Sequence, residues 1–477
     1  MTSSPEGLSI FSAALEAPRA TALVLDGREL TFDELAAQTA PVTDGLRHRF
    51  GDGVHAVAAV AERRLETLLL AYAVMELGWT LIPLHPRSRD GERQRFVESL
   101  GLSSWMHPGE LPRARDAWGG GANAASDVEA TLAVVPTSGS TGRPKGVALS
   151  YRAFLAAAAA SAGRLGWGPN ARWLLSLPLA HVGGLSILTR CLIDRRTAVV
   201  PPEGESFDPE TVLKRIHGDA VTHLSVVPYM LRRLLDVGGP PPPSLRCVLV
   251  GGAALPPAWL EDARRAGWPA LATYGLTEAC SQVATQPPED LETFPPTAGA
   301  PLLDGVEARL DGDGVLSLRG PSLFSGYRPD ADGPRPPEAW LRTGDVARIE
   351  DGRLHILGRH DHVIVTGGEN VHPAEVERAL LQVAGVGEAC VVGVPDARWG
   401  HTVAAAVAPG DDPHGAPALA IDAIDDELRE RIAGFKRPRR WRLLDALPRT
   451  PSGKVDRRKV ARLFDGSTPA HSAHHSP

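Results

Sequence analysis

The sequence contains few cysteines and no excess of basic charge. Its four cysteines, Cys191, Cys247, Cys280 and Cys390, lie far apart along 477 residues, which excludes paired-cysteine zinc sites and CxxC redox motifs. Dispersed cysteines are typical of a reducing compartment. The 50 lysines and arginines are outnumbered by 57 aspartates and glutamates, and the net charge is −7. An overall basic surface for nucleic acid or anionic lipid is therefore excluded.

The sequence also shows no targeting signal and no long apolar run. Residues 1–7 contain no basic stretch followed by an apolar core, so no secretory signal is predicted. The most apolar helical stretch, residues 68–75, is far shorter than a membrane span. We expect a soluble cytoplasmic protein without membrane insertion, and the sequence leaves a homodimer open. The polar tail, residues 466–477, contains three histidines and is predicted to be a disordered end and not a metal site.

Short apolar runs that alternate with helical patterns predict an α/β protein. Thr31 and Glu34 have the spacing of a capping box, so a helix is predicted to start at Phe32. Further helices are predicted at 65–77, where Gly78 supplies the C-cap, and at 151–165. Buried strands are predicted at 55–61, 81–84, 132–136, 198–200, 224–227 and 247–250. This alternation predicts layered, mostly parallel sheets covered by helices.

The pattern changes after about Pro295, where short strands joined by Asp/Gly turns predict a small antiparallel β region. These strands are predicted at 306–310, 315–318, 346–349 and 354–356. An α+β pattern follows, with strands at 363–365, 390–394 and 403–407 and helices at 373–382 and 421–432. We predict a large N-terminal domain, residues 1–358, and a small C-terminal domain, residues 359–465, with the boundary near Arg359.

A glycine-rich motif, Thr-Ser-Gly-Ser-Thr-Gly-Arg-Pro-Lys-Gly at 137–146, directly follows a predicted strand. Its glycines allow close backbone approach to a ligand, and its hydroxyls and N–H groups are donors for phosphate oxygens. Lys145 adds a positive charge. A Walker-type P-loop fits poorly, because Pro144 and Gly146 flank the lysine where that motif needs Gly-Lys-Ser/Thr. A flexible surface loop is the other alternative, and the ordered string disfavours it.

This motif resembles the phosphate loop of the acyl-adenylate-forming superfamily, which includes acyl- and aryl-CoA ligases, peptide-synthetase adenylation domains and luciferases. Four further motifs of that superfamily recur in order, so the resemblance covers nearly the whole chain. They are Tyr-Gly-Leu-Thr-Glu at 274–278, Thr-Gly-Asp at 343–345, Gly-Arg-His-Asp at 358–361 and Pro-Ser-Gly-Lys at 451–454. The resemblance implies that a carboxylic acid is activated with ATP and Mg2+ as an acyl-adenylate and then transferred to coenzyme A.

The resemblance also implies roles for individual residues. Thr277 and Glu278 are expected to act at the α-phosphate and on Mg2+, Asp345 on the ribose hydroxyls, and Lys454 on oxygens at the α-phosphate. His181, Thr277, Glu278 and Lys454 are the predicted catalytic residues. The predicted ATP-binding residues are Thr137, Ser138, Gly139, Ser140, Thr141, Gly142, Lys145, Thr273, Tyr274, Gly275, Asp345 and Arg359.

In the superfamily the small domain is mobile and swings after adenylation, which withdraws the lysine and presents another face for thioester formation. Asp361 matches the hinge position, and Gly367, Gly368 and Glu369 match the face for the CoA step. His362 departs from the pattern, because many relatives have a second acidic residue there.

Three strings point to the substrate and resemble the o-succinylbenzoate–CoA ligase family of menaquinone synthesis. They are Leu-Pro-Leu-Ala-His-Val-Gly-Gly-Leu-Ser at 177–186, the segment 274–282, and Gly-Gly-Glu-Asn-Val-His-Pro at 367–373. The resemblance implies that 2-succinylbenzoate is converted to its CoA thioester. The expected acid-binding residues are His181, Gly251, Gly252, Ser281 and Gln282.

Three alternatives stay open at the level of sequence. The acid could be another aryl or medium-chain acid, or the acceptor could be a carrier protein instead of CoA. A nucleotide-binding regulatory protein without turnover is the third alternative. The presence of Lys145, Glu278, Asp345 and Lys454 disfavours it.

Overall fold

The computed structural model describes residues 5–53, 55–113, 127–138, 144–202, 207–293, 299–329, 335–367, 369–396, 398–410, 420–450 and 454–465. The predicted disordered tail, 466–477, lies outside these residues. The chain forms two compact units. The first comprises Met1–Leu255, Trp259–Glu307 and Arg319–Trp340, and the second Pro256–Ala258, Ala308–Leu318 and Leu341–Pro477. The predicted boundary near Arg359 falls inside the second unit.

The α-helices of the described residues are bounded as follows: α1 (Ile10–Glu16), α2 (Phe32–Phe50), α3 (Leu65–Glu76), α4 (Asp90–Ser99), α5 (Tyr151–Leu165), α6 (Val182–Ile193), α7 (Pro209–Gly218), α8 (Pro228–Val237), α9 (Pro257–Arg265), α10 (Pro373–Leu380), α11 (Ile421–Arg429) and α12 (Arg457–Arg462). None of them is long and apolar enough to cross a membrane.

The strands of the described residues are bounded as follows: β1 (Thr21–Leu25), β2 (Arg28–Thr31), β3 (Ala56–Val60), β4 (Thr80–Leu84), β5 (Thr131–Ser138), β6 (Pro144–Ser150), β7 (Arg172–Leu174), β8 (Thr197–Val200), β9 (His223–Val226), β10 (Cys247–Val250), β11 (Ala270–Leu276), β12 (Ser281–Thr285), β13 (Ala300–Pro301), β14 (Glu307–Leu310), β15 (Val315–Arg319), β16 (Gly326–Arg328), β17 (Leu341–Glu350), β18 (Arg353–Arg359), β19 (Ile364–Thr366), β20 (Glu369–Val371), β21 (Val386–Asp396), β22 (Gly400–Pro409) and β23 (Arg440–Leu443).

Local chemistry explains where the helices begin and end. Thr31 and Glu34 form the predicted capping box: the Thr31 N–H donates to the Glu34 carboxylate at 2.9 Å, and the Glu34 N–H donates to Thr31 Oγ1 at 3.2 Å. Helix α3 ends at Glu76, and Leu77 is its cap residue. Gly78, the predicted C-cap, follows with a φ of +67°, and its N–H donates to the Met75 carbonyl, so the glycine lies one position beyond the observed cap.

The first unit contains two mixed sheets. The larger sheet has the order β2–β1–β8–β7–β9–β10–β11–β12. The six inner strands of this order are parallel to one another, and the edge strands β2 and β12 are antiparallel to their neighbours. The smaller has the order β3–β4–β5–β6–β16, in which β3, β4 and β5 are parallel. The predicted α/β architecture with mostly parallel sheets is confirmed.

The second unit contains the predicted antiparallel region and an α+β sheet. Strands β14, β15, β17 and β18 are neighbours in that order, and β17 and β18 form a hairpin. Asp351 and Gly352 at its turn have φ values of +49° and +73°, the left-handed pair of a type I′ turn. The other sheet has the order β20–β19–β22–β21, with β23 parallel to β22.

Each unit has its own apolar core. Strands β8, β9 and β10 are buried along their whole length, and they pack with helices α7, α8 and α9 in one cluster of the first unit. In the second unit α10 and α11 cover one face of the β21–β22 hairpin, while α12 covers the other. Both strands are therefore rigid supports for the loops at their ends.

Candidate functional site

The carboxyl ends of parallel strands bring together most of the first unit's predicted site residues. His181 follows β7, Gly251 and Gly252 follow β10, and the segment 273–282 follows the buried part of β11. Since these strands are parallel neighbours with β9 between β7 and β10, the residues lie at one edge of the sheet. This edge is where ligands bind in open α/β sheets.

A histidine pair joins this edge to the corresponding edge of the smaller sheet. His85 follows β4, and its ring centroid lies 5.3 Å from that of His181. Burial and the neighbouring Arg87 and Arg93 lower the pKa of His85 to about 4, so its ring is neutral at pH 7. Gly184 follows His181 in helix α6, where a Cβ atom would lie 2.2 Å from the Pro178 carbonyl oxygen. The tight approach of the helix to this loop therefore requires a glycine.

The predicted phosphate loop connects the antiparallel strands β5 and β6. Thr137 Oγ1 donates to the Lys145 carbonyl at 3.2 Å, which closes the base of this hairpin. The loop residues Gly139, Ser140, Thr141 and Gly142 lie outside the described residues, as does the side chain of Ser138. Strand β6 was not predicted between the loop and helix α5, because its apolar run is short and begins with Pro144.

Tyr327 links two predicted site residues and was missed by the sequence reasoning. Lys145 Nζ lies 5.0 Å from the centroid of the Tyr327 ring, a cation–π contact. The Tyr327 hydroxyl donates to Glu278 Oε1 at 2.9 Å. Strand β16, which contains Tyr327, pairs with β6, so a residue 182 positions away from Lys145 completes the cluster. A lone tyrosine in a three-residue strand is a weak signal in a sequence.

The segment 273–282 has an unusual backbone that depends on close packing. A Cβ atom on Gly275 would lie 1.7 Å from the Ser281 carbonyl oxygen. Thr277–Ala279 form one 3-10 turn, and Cys280 and Ser281 have φ values of +52° and +98°. Non-glycine residues with such positive φ values have a strained backbone, and they cluster at functional sites. Thr277, Glu278, Ser281 and the half-buried Tyr274 are therefore held in one defined arrangement.

Of two further predicted acid-binding residues, Gly251 lies beside this segment and Gln282 is its last residue. Gly251 approaches Thr273 so closely that a Cβ atom would lie 2.6 Å from its carbonyl oxygen. Gln282 is 4% exposed, and its Nε2 donates to Thr285 Oγ1 at 2.8 Å. Among the described residues, the buried Gln282 Oε1 has no hydrogen-bond partner.

Arg190 is a buried cation that the sequence reasoning also missed. It lies on α6, which packs against β12, and it is 2% exposed. Its Nε and Nη2 atoms are buried without a hydrogen-bond partner in the part of the chain that the structure describes. Burial lowers the pKa of Arg190 to about 10, so the side chain stays protonated at pH 7. An arginine inside the apolar string Leu-Ser-Ile-Leu-Thr-Arg-Cys-Leu-Ile was the available signal.

The Arg190 guanidinium lies over the Trp173 ring at 5.6 Å and interacts electrostatically with the Asp194 carboxylate. A buried charge without full compensation is costly and marks a functional candidate.

In the second unit, three predicted site residues form one chain of ion pairs. Arg359 Nη1 lies 3.5 Å from Asp345 Oδ1, and Arg359 Nε lies 2.9 Å from Asp361 Oδ1. A Cβ atom on Gly344 would lie 2.3 Å from the Arg359 guanidinium, so the glycine lets the arginine reach back along the hairpin. The predicted ribose ligand and the predicted hinge residue are thus connected through Arg359.

Lys454 lies at the end of a short antiparallel ladder in the same unit. Its carbonyl oxygen accepts the Thr450 N–H at 2.8 Å, and Arg449 and Val455 form a β-bridge. The surrounding protein lowers the pKa of Lys454, and the negative charge of Asp345 opposes this shift. The backbone at Lys454 is therefore fixed while its ammonium group lies within electrostatic range of Asp345.

The predicted face for the CoA step includes a basic aromatic cluster. Gly367 has a φ of +60°, its N–H donates to the Trp399 carbonyl at 3.0 Å, and a Cβ atom would lie 2.7 Å from the Trp399 ring. The guanidinium carbons of Arg398 and Arg439 lie 4.8 and 4.7 Å from the centroid of that ring. Glu369 is exposed on β20, and Gly368 lies outside the described residues.

No cluster of three or more His, Cys, Asp or Glu side chains that could hold a metal ion exists within the described ranges. A single carboxylate such as Glu278 nevertheless fits Mg2+, which usually keeps waters and shares one or two carboxylates with substrate phosphates.

Parallel sheets with polar site residues at the carboxyl ends of their strands are the architecture of a nucleotide-binding α/β enzyme. The chain belongs to the AMP-binding enzyme family, which it matches at residues 10–119 and 110–328, while residues 375–454 match the C-terminal domain of that family.

Within this family, the chain is similar over nearly its whole length to named ligases and to solved structures. The 2-succinylbenzoate–CoA ligase of Bacillus pumilus (strain SAFR-032) is 32% identical, over 94% of this chain and 96% of its own. The structure of Bacillus subtilis o-succinylbenzoate CoA synthetase (MenE) with the acyl-adenylate intermediate OSB-AMP is similar with a TM-score of 0.82 and 30% identity, covering 94% and 97% of the two chains. The structure of the same synthetase with ATP and magnesium ion is similar with a TM-score of 0.83 and 30% identity, and the match covers 95% of this chain and 98% of that one.

Proposed function

We propose that this protein is a 2-succinylbenzoate–CoA ligase. In the first half-reaction the acid carboxylate attacks the α-phosphorus of ATP, and pyrophosphate leaves as the acyl-adenylate forms. In the second, the CoA thiol attacks the acyl carbon and AMP leaves as the thioester forms. The full-length similarity to ligases of this name supports the reaction.

The buried Arg190 is the observation that carries the choice of acid. 2-Succinylbenzoate has two carboxylates and a ketone, and activation of one carboxylate leaves the other charged. Arg190 lies on α6, which packs against the strand that contains Ser281 and Gln282, and it has buried donors without partners in the described chain. A buried cation suits a second carboxylate and disfavours a fatty acid, which has only an apolar chain at that end.

Both partners in the first half-reaction are anions, so catalysis must depend on positioning and charge neutralisation. We assign Lys145 to the phosphates and Glu278 to Mg2+, which offsets triphosphate charge when it is bound. The Tyr327 hydroxyl orients the Glu278 carboxylate. Asp345 accepts hydrogen bonds from the ribose hydroxyls, Arg359 contacts the nucleotide, and Lys454 supplies a second cation for adenylate formation.

For the second half-reaction, Gly367 and the cluster of Arg398, Trp399 and Arg439 form a suitable surface for CoA. The two guanidinium groups can pair with phosphates of CoA, while the glycine leaves room for the pantetheine arm.

We expect Arg439→Glu to raise the KM for CoA by about tenfold, because exposed charge contacts contribute about 1 kcal/mol each and the substitution reverses the charge. Initial rates of thioester formation at varied CoA measure this effect. Arg442→Glu is the matched control: Arg442 lies over the Phe464 ring at 5.4 Å, so the same charge change is made elsewhere in the unit. Equal KM values for the two variants would contradict the assignment.

A panel of carboxylic acids tests the proposed substrate. Pyrophosphate release is measured with and without CoA for 2-succinylbenzoate, benzoate and medium-chain fatty acids. We expect turnover on 2-succinylbenzoate that exceeds that on the monocarboxylates by about 100-fold or more, because a site with a buried cation rejects a ligand that leaves it unpaired. Fast turnover on a fatty acid with none on 2-succinylbenzoate would refute the substrate assignment.

We also propose a cytoplasmic location, which the four free, buried cysteines support. A homodimer stays a prediction, and sedimentation of the purified protein tests it.

A further inference from the structure

We propose that Glu377 and Arg457 are positioning residues for Lys454 in adenylate formation, an inference that rests on the proposed function. Arg457 is three residues after Lys454 and is the first residue of helix α12. Its guanidinium Nη2 donates to both carboxylate oxygens of Glu377, at 2.6 and 2.7 Å. Glu377 lies on α10 and is 7% exposed, so water competes little for this charge-assisted pair.

The pair is connected to the rigid sheet of the second unit. The second carboxylate contact of Glu377 is the Val391 N–H, which donates to Oε1 at 2.8 Å. Arg457 Nη1 donates to the Val391 carbonyl at 2.7 Å. Helix α10, strand β21 and the first residue of α12 therefore meet at one fully hydrogen-bonded junction. The bond from Arg457 to Val391 fixes the start of α12 on β21 directly, and the bonds of Glu377 to both residues reinforce it.

Lys454 is coupled to this junction through its backbone. The Asp456 N–H donates to the Pro448 carbonyl at 2.7 Å, and the Thr450 N–H donates to the Lys454 carbonyl at 2.8 Å. On the other strand of this ladder, Arg449 pairs with Glu388 of β21. The segment with Lys454 is thus held at both ends: before the lysine by the Arg449–Glu388 pair to β21, and after it by Arg457, which pairs with Glu377 of α10 and donates to the Val391 carbonyl of β21.

The apolar packing of α12 does not replace this function. Val460 and Phe464 are buried in a cluster with Cys390 and Val392 of β21, and these contacts hold the helix to the sheet. They lie at the far end of the helix from Lys454. Loss of the ion pair should therefore release the N-terminal end of α12 and move the lysine while the unit stays folded. A misplacement of about 1 Å can reduce a rate by about 100-fold.

The experiment compares the two half-reactions in Glu377→Gln. Exchange of labelled pyrophosphate into ATP with 2-succinylbenzoate measures adenylation, and thioester formation from supplied acyl-adenylate and CoA measures the second step. We expect exchange to fall by about tenfold or more and thioester formation to change by less than about twofold, because the lysine acts only in the first step. Equal losses in both steps, or unchanged exchange, would overturn the proposal.

Asp425→Asn is the matched control. Like Glu377, Asp425 is buried, at 4% exposure. It lies on helix α11 and pairs with Arg437 at 3.1 Å, outside the segment that contains Lys454. We expect pyrophosphate exchange to stay within about twofold of the unchanged protein, since this pair lies outside the Glu377–Arg457 junction. Arg457→Lys keeps the charge but loses the planar guanidinium that bonds Glu377 and the Val391 carbonyl from two nitrogens. If Glu377→Gln does not fold, the same measurements are made on Arg457→Lys.

Hydrogen exchange makes the test independent of activity. In Glu377→Gln the Thr450 and Asp456 amides should lose protection, while in Asp425→Asn they should keep it. If the unchanged protein shows no pyrophosphate exchange with any acid, the proposed function fails, and the amide protection alone decides the positioning of Lys454. Unchanged protection of both amides in Glu377→Gln would overturn the proposal.

Discussion

We expect Lys454→Ala to reduce the rate of adenylate formation by about 1000-fold, equivalent to about 4 kcal/mol of transition-state stabilisation. The carboxylate and the triphosphate are both negatively charged, and removal of one cation leaves developing charge at the α-phosphate uncompensated. The nearby Asp345 carboxylate would then add repulsion that Lys454 offsets in the unchanged protein. Pyrophosphate–ATP exchange with 2-succinylbenzoate measures the loss.

Thioester formation from supplied acyl-adenylate should be largely unchanged in Lys454→Ala, because the acyl–phosphate anhydride is already formed. Lys459→Ala is the control: Lys459 is exposed and pairs only weakly with Asp456 at 3.5 Å, so both half-reactions should stay normal. Equal losses of exchange and thiolysis in Lys454→Ala would refute this division between the steps.

Arg190→Met should reduce kcat/KM for 2-succinylbenzoate by about 100-fold, which corresponds to about 2.7 kcal/mol. This is the range of a charge-assisted hydrogen bond to a buried carboxylate. For an aryl keto acid that lacks the second carboxylate, kcat/KM should change little or rise, because methionine removes a buried charge that this acid leaves unpaired. Steady-state kinetics on both acids measure the difference.

We expect Arg190→Met to leave the melting temperature unchanged or to raise it. In the described chain the buried Nε and Nη2 of Arg190 have no hydrogen-bond partner, and Arg195 and Arg196 still balance the charge of its neighbour Asp194 in the variant. Replacement of such a cation by an apolar side chain of similar length is neutral or stabilising. Arg264→Met is the contrast: Arg264 is also buried, but it donates to the Ala270 and Asp290 carbonyls and to Gln286. That variant should melt lower and keep its preference between the two acids. A similar loss of preference in both variants would contradict the role of Arg190.

Much of the fold could be predicted because its elements have strong local signals. Helix α5 has the predicted bounds, and α2 begins at the capping box formed by Thr31 and Glu34. The buried strands β8, β9 and β10 follow from continuous apolar runs. Strand β6 was missed because a strand that begins with a proline and a glycine-flanked lysine has no clear period of two. Its pairing with β5 and β16 stabilises it instead.

The candidate site divides in the same way. The phosphate loop, the segment at 274–278, Asp345, Asp361 and Lys454 could be named because each motif is a short run of residues whose chemistry depends on neighbours in the chain. Tyr327, Arg190 and the Arg398–Trp399–Arg439 cluster could not. Each belongs to the proposed site only through contacts with segments that are distant in the sequence.

The sequence by itself determined the class of fold, the order of the motifs and the chemistry that they can perform, because helix periods, apolar runs and glycine-rich turns are local properties of the chain. Only the tertiary structure decided which charges are buried and which are paired. Burial and pairing depend on the segments that the fold brings together: α6 beside β12 around Arg190, and α10 beside α12 at Glu377 and Arg457.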